Sequence, residues 1–320
     1  ILTICIFLSF FAELFINNRA LLVKYEGSYF FPTYGDIIPG NKLGEDYEWE
    51  ANYKKLKIKY KEENKGNYVI LPLVAYNAFE NDLKDDSHPP FPPSDEHPLG
   101  TDISGRDVLA RVVYGFRIAI LFSLALLFAN YSIGITLGSF MGYIGGRFDI
   151  FMQRLIEIWS NIPFLYVIII VSSIVVPTFG MLVGIMILFG WPGMTWYMRT
   201  AAYKEKTRDY TLAARSIGCS NTRIIFKHIL PNSISTIVTF IPFSIASGIT
   251  SLTALDFLGF GLPAPTPSWG QLLQEGTDNL GSLWIVSSVV ICMVVILTMV
   301  TFIGEAIREA FDPKSHITYK

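Results

Sequence analysis

The chain has 320 residues, of which 51% are hydrophobic and 16% are charged, with a formal net charge of −2. Soluble globular proteins carry about 25% charged residues, so the composition excludes a disordered chain and a typical soluble enzyme and indicates a membrane protein. A net charge near zero gives no reason to expect nucleic-acid binding.

Six apolar runs are predicted to cross a lipid bilayer as helices, since a hydrocarbon core about 30 Å thick needs about 20 apolar residues. The first run is short and begins without Met, so we interpret it as a transmembrane helix whose start is missing. A signal-peptide core is the alternative, although no small-x-small cleavage site follows it. The runs cover residues 1–16, 118–143, 150–176, 181–198, 234–255 and 283–303.

Loop charge predicts the orientation, because cytoplasmic loops carry an excess of Lys and Arg. One loop holds seven basic residues against two acidic ones, and we expect it to be cytoplasmic. Both chain termini are then cytoplasmic as well, whereas residues 17–117 and 256–281 lie outside. The seven basic residues are Arg199, Lys204, Lys206, Arg208, Arg215, Arg223 and Lys227.

This topology predicts five parts. Residues 54–63 are charged and form either a short exposed helix or only a solvated stretch, and the proline-rich run at 88–93 is predicted to be a stiff connector. The parts are a truncated helix 1 (1–16), a periplasmic outer segment (17–96), a pre-membrane helix (97–117), a five-helix core (118–310) with a basic loop (200–232), and a cytoplasmic tail (311–320).

Small residues and prolines mark positions inside the predicted membrane helices. Gly134, Gly138 and Gly142 repeat every four residues, which places three bare patches on one helix face. That face suits close packing, either within this chain or against another subunit. Three prolines are predicted to interrupt helices, as often occurs in transporters, or to form plain kinks, and neighbours or water are expected to satisfy the freed carbonyls. They are Pro163, Pro192 and Pro242.

Ionisable residues near the membrane are predicted to lie only at helix ends, which gives no proton or sodium route. Arg154 and Glu157 are spaced to pair on one helix face. The chain has no phosphate-binding P-loop, no zinc-protease motif and no nucleophile elbow. Its three cysteines and four histidines are scattered. We therefore expect no catalytic residue, cofactor or metal.

The basic loop is predicted to fold as helix, tight turn and helix. Asp209 is expected to cap the first helix and Gly218 to end it in the left-handed conformation. Ser220 is expected to cap the second helix, and Pro231 to end it.

The surface of this helical pair combines apolar and basic side chains. Leu212, Ala213 and Ile217 form a small apolar face, next to the basic residues Arg215, Arg223 and Lys227. Such a helix suits a groove of another protein, but it could equally pack on its own bundle at the membrane surface.

The loop resembles the EAA loop of ABC-importer permeases, in Ala213-Ala214, Gly218 and Leu230-Pro231. In that family the loop forms a coupling helix that docks on the ATPase subunit. The sequence departs from the pattern at Leu212, where the family has Glu, and at His228, where it has Ile. The resemblance assigns ATPase coupling to Leu212, Ala213, Ala214, Arg215, Gly218, Arg223, Leu230 and Pro231.

Further motifs resemble dipeptide and oligopeptide permeases. Residues 97–117 resemble the entry to their second helix, residues 257–270 their last outer loop, and Asp312-Pro313 their ending. Residues 21–32, with the enlarged region that follows, are similar to permeases of microcin C and peptide importers. The motif residues are Gly100, Thr101, Asp102, Gly105, Arg106, Asp107, Gly259, Gly261, Pro267 and Trp269.

These motifs also have structural interpretations. Thr101-Asp102 and Arg106-Asp107 are expected to provide caps and ion pairs that seat the pre-membrane helix, with direct substrate contact as the alternative. Trp269 is predicted to be an interfacial anchor, and the prolines around Pro267 to stiffen the outer loop.

The resemblance implies an all-α polytopic inner-membrane protein with six transmembrane helices, the type I ABC importer permease fold and an enlarged periplasmic segment. It also implies a second permease subunit, two cytoplasmic ATPases that bind the ATP, a periplasmic solute-binding protein and a peptide substrate. A secondary transporter and a membrane-anchored ligand sensor are the alternatives. The aromatic and charged outer segment is expected to be a folded cap or docking surface rather than a linker.

Overall fold

The computed structural model describes residues 6–7, 9–83 and 87–311 of the chain. The predicted helix 1 lies partly outside these residues, and its described end is a short 3-10 helix over Ala12–Leu14, which corrects the prediction of a continuous helix to residue 16. The predicted tail lies almost entirely outside the described residues. The chain divides into two compact units, which are Ile1–Ile118 with Ala264–Val294, and Ala119–Pro263 with Val295–Lys320.

The first unit contains a small sheet and helix built from the outer segment. Strands β1 (Leu22–Tyr25) and β2 (Ser28–Phe30) are joined by Glu26 and Gly27, whose φ values are 47° and 83°. Two positive φ angles in a two-residue loop match the twist of an antiparallel hairpin. Strand β3 (Tyr68–Ile70) pairs with β1 on its other side. The fold is mostly helical, but this sheet corrects the all-α prediction.

Helix α1 (Tyr53–Glu63) forms over the charged stretch of the outer segment, which confirms a helix there. The Asn52 side chain caps it by accepting from the Lys55 amide. Tyr53, Leu56 and Tyr60 recur at helical spacing and are buried in a core with β1 and β3. The apolar face thus packs on the sheet while Lys55, Lys57 and Lys61 face solvent.

Four helices among the described residues are long and apolar enough to span a membrane, and a bent pair brings the number to five. The helices after β3 are α2 (Val108–Ile144), α3 (Gly146–Ser160), α4 (Phe164–Ile174), α5 (Phe179–Glu205), α6 (Asp209–Ser216), α7 (Asn221–Ile224), α8 (Ile234–Phe257), α9 (Trp269–Asp278) and α10 (Leu283–Phe311).

The apolar run at 150–176 was predicted to be one membrane-crossing helix with an interruption at Pro163, and the interruption is confirmed. The run lies on two helices, α3 and α4, that meet at a 59° bend. Pro163 directly precedes α4, and a proline both lacks an amide and disfavours helical conformation in the residue before it. The break therefore follows from local sequence.

At Pro192 and Pro242 no break occurs, since α5 and α8 continue through both prolines. Pro192 cannot donate to the carbonyl of Leu188. That carbonyl instead accepts from the Trp159 indole at 2.6 Å. A neighbouring helix thus satisfies the freed group, as a proline inside a membrane helix requires.

The predicted pre-membrane helix over 97–117 is not a separate element. Residues 97–107 form a loop, and one helix of 37 residues begins at Val108. The Asp107 side chain accepts from the Ala110 amide at 2.7 Å and caps this helix. No proline occurs within α2, so nothing divides it near 117.

Within the second unit, the three spaced glycines of α2 lie against α5. A Cβ added at Gly134, Gly138 or Gly142 would come within 3.0 Å of the backbone of α5. The two helices approach as closely as bare glycine faces allow. Of the two predicted alternatives, the contact within the chain is the one observed.

Candidate functional site

Residues next to each end of helix α6 in the basic loop determine where the helix begins and ends. Arg208 occupies the cap position without a side-chain hydrogen bond, so the predicted cap at Asp209 is wrong. Asp209 is the first helical residue, where its charge complements the helix dipole. Gly218 has φ +82°, as predicted, and the Ser220 hydroxyl accepts from the Arg223 amide at 3.4 Å.

One side of α6 packs on the chain and the other is exposed. Ala214 joins a buried cluster with Tyr143, Ala202, Ile224, Ile225 and Ile229. Leu212 and Ile217 are 49% and 81% exposed, and Ala213 and Arg215 are exposed with them. The predicted apolar face is therefore accessible, with basic side chains beside it. Arg223 and Lys227 are also exposed.

Glu205, which sequence analysis did not single out, fixes the start of α6. Its carboxylate accepts from the Tyr210 hydroxyl at 2.6 Å, and its carbonyl accepts from the Thr211 hydroxyl at 2.8 Å. Burial, together with this bond to Glu205, raises the pKa of Tyr210 to about 12. The acid that resemblance would place at position 212 is absent, but a neighbouring acid holds the helix in place.

The second helix of the basic loop, which begins as α7, does not end at Pro231 as predicted. It continues through a π-helical turn over Ile225–Ile229 and a last turn over Leu230–Asn232. A π turn shifts the hydrogen-bond pattern by one residue, and it ends directly before Leu230 and Pro231. The Asn232 side chain donates to the His228 carbonyl at 2.6 Å, which closes this end.

An ion pair between distant residues anchors α3 to α5. Arg199 donates through Nε and Nη2 to the two carboxylate oxygens of Asp149, both at 2.6 Å. Such two-point pairing fixes orientation as well as distance. The predicted pair of Arg154 and Glu157 also forms, at 2.5 Å, but it is largely exposed and contributes little.

The motif at 100–107 forms a buried polar network in the first unit. The Asp102 carboxylate accepts from the amides of Ser104 and Arg106 and from Arg106 Nε at 2.7 Å. Gly100 and Gly105 have φ values of 71° and 79°, and the Thr101 hydroxyl accepts from the Phe91 amide. Asp102 and Asp107 are 0% exposed. The observed contacts are caps and ion pairs, made on α2 rather than on a surface helix.

Sequence analysis missed three members of this network, which are Arg111, Gln271 and Glu275. Arg111, on α2, is fully buried and donates to Asp102, Glu275 and Gln271. Arg106 lies 3.3 Å from the same Glu275 carboxylate. Burial raises the pKa of Glu275, and the two arginines oppose that rise. The network connects the 100–107 loop with α2 and α9.

Trp269 is buried and is not the interfacial anchor that was predicted. It is 2% exposed, its indole donates to the Val112 carbonyl at 2.8 Å, and its ring stacks on Phe116. Pro267 directly precedes Ser268, whose hydroxyl caps α9 by accepting from the Gly270 amide at 3.1 Å. This part of the motif joins α9 to α2.

Gly259 and Gly261 shape the end of α8 in the second unit. Gly259 has φ +78°, and a side chain at Gly261 would collide with Asp256. The Asp256 carboxylate accepts from the Leu262 amide at 2.7 Å. These glycines allow the chain to fold tightly back over a buried carboxylate.

His97 connects the outer segment to the start of α2. Its Nδ1 lies 2.8 Å from Asp107 and its Nε2 lies 3.1 Å from Asp82, and the Tyr76 ring packs on the imidazole. Burial lowers the pKa of His97, but hydrogen bonds to the two carboxylates outweigh it and raise the pKa above its ordinary value.

This arrangement predicts a pH-dependent contribution to stability. A raised pKa in the folded state gives a contribution that is complete below about pH 6.5 and is lost as the pH rises through the folded-state value. We expect the melting temperature of the wild type to exceed that of His97→Gln most at low pH. Melting curves of both proteins from about pH 5 to about pH 9 check this. A difference that does not change with pH would contradict it.

A cavity of about 320 Å³ lies among α2, α5 and α8 in the second unit. Apolar side chains of the three helices form most of its wall, and polar groups converge on it. The Tyr131 hydroxyl and the Ser244 hydroxyl are hydrogen-bonded at 2.8 Å. The amide oxygen of Asn130 is buried without a hydrogen-bond partner among the described residues. The other lining residues with polar side chains are Tyr197, Ser247 and Ser251.

Known proteins resemble the chain over most of its length. Residues 134–316 match the family described as binding-protein-dependent transport system inner membrane component. The chain is 40% identical to the inner membrane ABC transporter permease protein YejE of Escherichia coli (strain K12), over 97% of this chain and 90% of that protein. It is 34% identical to the dipeptide transport system permease protein DppC of Bacillus subtilis (strain 168), over 70% and 71%.

Another similar protein is the peptidoglycan transport system permease protein YejE of Agrobacterium fabrum (strain C58 / ATCC 33970), at 38% identity over 97% of this chain and 87% of that protein. Among solved structures, an inward-facing MetNI methionine ABC transporter chain matches with a TM-score of 0.52 and 17% identity, over 63% of this chain and 96% of that chain. That likeness shows a shared fold. The chain therefore belongs to the inner membrane components of binding-protein-dependent transport systems, and it is a non-catalytic permease of the ABC type.

Proposed function

We propose that the chain is the permease subunit of an ATP-driven importer for peptides or peptide-like compounds of the microcin C type. The observation that carries this proposal is the accessible face of α6, with Leu212 and Ile217 exposed on a helix that Ala214 and Glu205 hold in place. A fixed helix with an exposed apolar face suits a groove on an ATPase subunit. The chain itself binds no cofactor, and ATP is bound by its partners.

The names of similar proteins support a peptide cargo. They include a dipeptide permease, oligopeptide permeases and a peptidoglycan transport permease. A peptide chain is common to these cargoes. We propose that a periplasmic binding protein delivers the peptide and that a second permease subunit completes the path.

The proposed topology has six membrane-spanning segments, with both termini in the cytoplasm. Segment 1–16 would supply the sixth span, and the outer segment would lie in the periplasm. The excess of Lys and Arg in the basic loop supports this orientation. Two cytoplasmic ATPase subunits would then meet α6 and its counterpart in the second permease.

The cavity among α2, α5 and α8 is proposed to be part of the translocation path. Polar groups at membrane depth are unfavourable unless they face a partner or water. Asn130 and the serines of α8 would supply hydrogen bonds to the amide groups of a passing peptide. Movement of α6 would be transmitted to α5 and so to the wall of this cavity. Nucleotide can drive that movement only if it binds the two conformational states of the ATPases with different affinities.

Copurification tests the proposal. We expect the tagged chain, extracted from native membranes, to carry stoichiometric ATPase subunits, and Ile217→Asp to reduce their recovery about tenfold because a charge enters the apolar contact. Ile58→Asp is a matched control, since Ile58 is 61% exposed on α1, which is proposed to lie on the opposite side of the membrane. Equal recovery from the wild type and Ile217→Asp would contradict coupling through α6.

A further inference from the structure

The outer segment contains a polar pocket of about 260 Å³ that none of the family motifs includes. The chain leading to β1, the start of α1 and the stretch after β3 form its wall. Two cationic and two anionic side chains line it, which are Arg19, Lys54, Glu50 and Glu80. The Tyr53 side chain lies among them.

The charges of the pocket balance in two pairs. Arg19 Nε lies 2.6 Å from Glu50, a close pair. Lys54 lies 3.5 Å from Glu80, which is long for a charge-assisted bond. Burial lowers the pKa of Lys54, and the nearby carboxylates oppose this shift. The second pair is thus looser than the first, and the Lys54 ammonium also lies 3.1 Å from the centre of the Tyr76 ring.

Three buried polar atoms of the pocket have no hydrogen-bond partner among the described residues, namely Glu50 Oε1, the Tyr53 hydroxyl and Glu80 Oε2. Glu50 Oε1 is nevertheless paired with Arg19 Nε at 2.6 Å, so the unpaired atoms are the Tyr53 hydroxyl and Glu80 Oε2. Tyr53 is 3% exposed, and burial near Glu50 raises its pKa to about 12, so the hydroxyl keeps its proton. An unpaired buried acceptor on a carboxylate is strongly unfavourable, and this one is suited to a cationic N–H donor.

We propose that this pocket binds a small zwitterion, namely the α-ammonium and carboxylate groups of a dipeptide. The ammonium would occupy the free acceptor of Glu80, while Lys54 and the Tyr53 hydroxyl would bind the carboxylate. A wall with balanced charges favours a ligand that is neutral overall but dipolar. The volume is below the roughly 300–1,000 Å³ of sites for drug-sized ligands, which limits the occupant to about two residues.

This inference deepens the proposed function and rests on it for the presence of peptides at this face. The pocket would hold the end of a peptide close to the membrane after its release from the binding protein. It differs from the membrane cavity among α2, α5 and α8, because all its lining residues belong to the outer segment.

Direct binding of radiolabelled L-alanyl-L-alanine to the full permease–ATPase complex in nanodiscs, without binding protein, tests the proposal. We expect Glu80→Gln to weaken binding about tenfold and Tyr53→Phe about fivefold. N-acetylation of the dipeptide, which removes the ammonium, should weaken wild-type binding at least as much as Glu80→Gln does. Glu62→Gln on α1 and Tyr29→Phe on β2 are matched controls, since both residues lie outside the pocket.

Melting temperatures separate binding from folding. The Tyr53 hydroxyl has no partner among the described residues, so Tyr53→Phe should leave the melting temperature unchanged or raise it while still weakening binding. The proposal that the pocket binds a dipeptide would be overturned by any of three results. These are equal affinity of all variants, equal affinity of the wild type for the acetylated dipeptide, or no binding by the wild type. If the complete system still imports peptide in that case, the proposed function stands. If the pocket binds as expected but no peptide is imported, the proposed function fails and the pocket stands.

Discussion

Gly138→Ala is expected to destabilise the membrane bundle. The new Cβ would lie under 3.0 Å from the α5 backbone at Thr195 and Arg199. Backbone atoms cannot move aside as a flexible side chain can, so the helices must separate. Overpacking of this kind costs about 1–3 kcal/mol, and we expect a lower melting temperature and reduced protein in the membrane.

Gly184→Ala provides the matched control for this substitution. Gly184 also lies in a membrane helix, α5, but nothing lies within 4 Å of a Cβ added there. Replacement by Ala should change stability by less than about 1 kcal/mol, because it alters only helix propensity. If Gly138→Ala melts at the same temperature as Gly184→Ala, the close approach of α2 and α5 is not what holds the bundle.

The basic loop was predictable because its signals act over a few residues. The left-handed conformation of Gly218 and the cap at Ser220 depend only on neighbouring amides. The same local rules failed at Pro231, where a π-helical turn before it changes the hydrogen-bond pattern. At Pro192, local rules could not identify the donor to the freed Leu188 carbonyl, because that donor, the Trp159 indole, comes from another helix.

Polar pairs between distant residues were beyond local rules. Asp149 and Arg199 are 50 positions apart, and Arg111 and Glu275 are 164 apart. Each residue alone fits an exposed helix end or a membrane interface. Only the packing of the helices brings the partners together, so a single sequence carried no signal for them. The same reason explains Trp269, whose burial depends on Val112 and Phe116.

The outer segment was partly predictable. The Glu26-Gly27 turn between Leu22–Tyr25 and Ser28–Phe30 has the two-residue length typical of a hairpin, and this signal could have revealed the first two strands. Strand β3 begins 40 positions after β2 begins, and its pairing has no local signature. The polar pocket depends on the same long-range arrangement.

Gly218→Val is expected to abolish transport while the protein still inserts into the membrane. Gly218 has φ +82°, and nothing lies within 4 Å of a Cβ added there. Strain therefore arises from the backbone alone, because a β-branched residue strongly disfavours positive φ. The turn must change conformation, which displaces α6 from the position that Ala214 and Glu205 fix. We expect transport to fall at least about tenfold, the effect of losing roughly 1.4 kcal/mol of ATPase contact.

Gly218→Asn separates conformation from side-chain size, because asparagine adopts positive φ far more readily than valine does. Its side chain has one more non-hydrogen atom than that of valine, yet the open space at this position accommodates it. Transport and copurification of ATPase subunits should therefore remain near wild type in Gly218→Asn and fall together in Gly218→Val. If both variants transport equally well, the left-handed turn after α6 does not position the coupling helix. If Gly218→Val instead fails to insert, the turn serves folding of the bundle rather than contact with the ATPase.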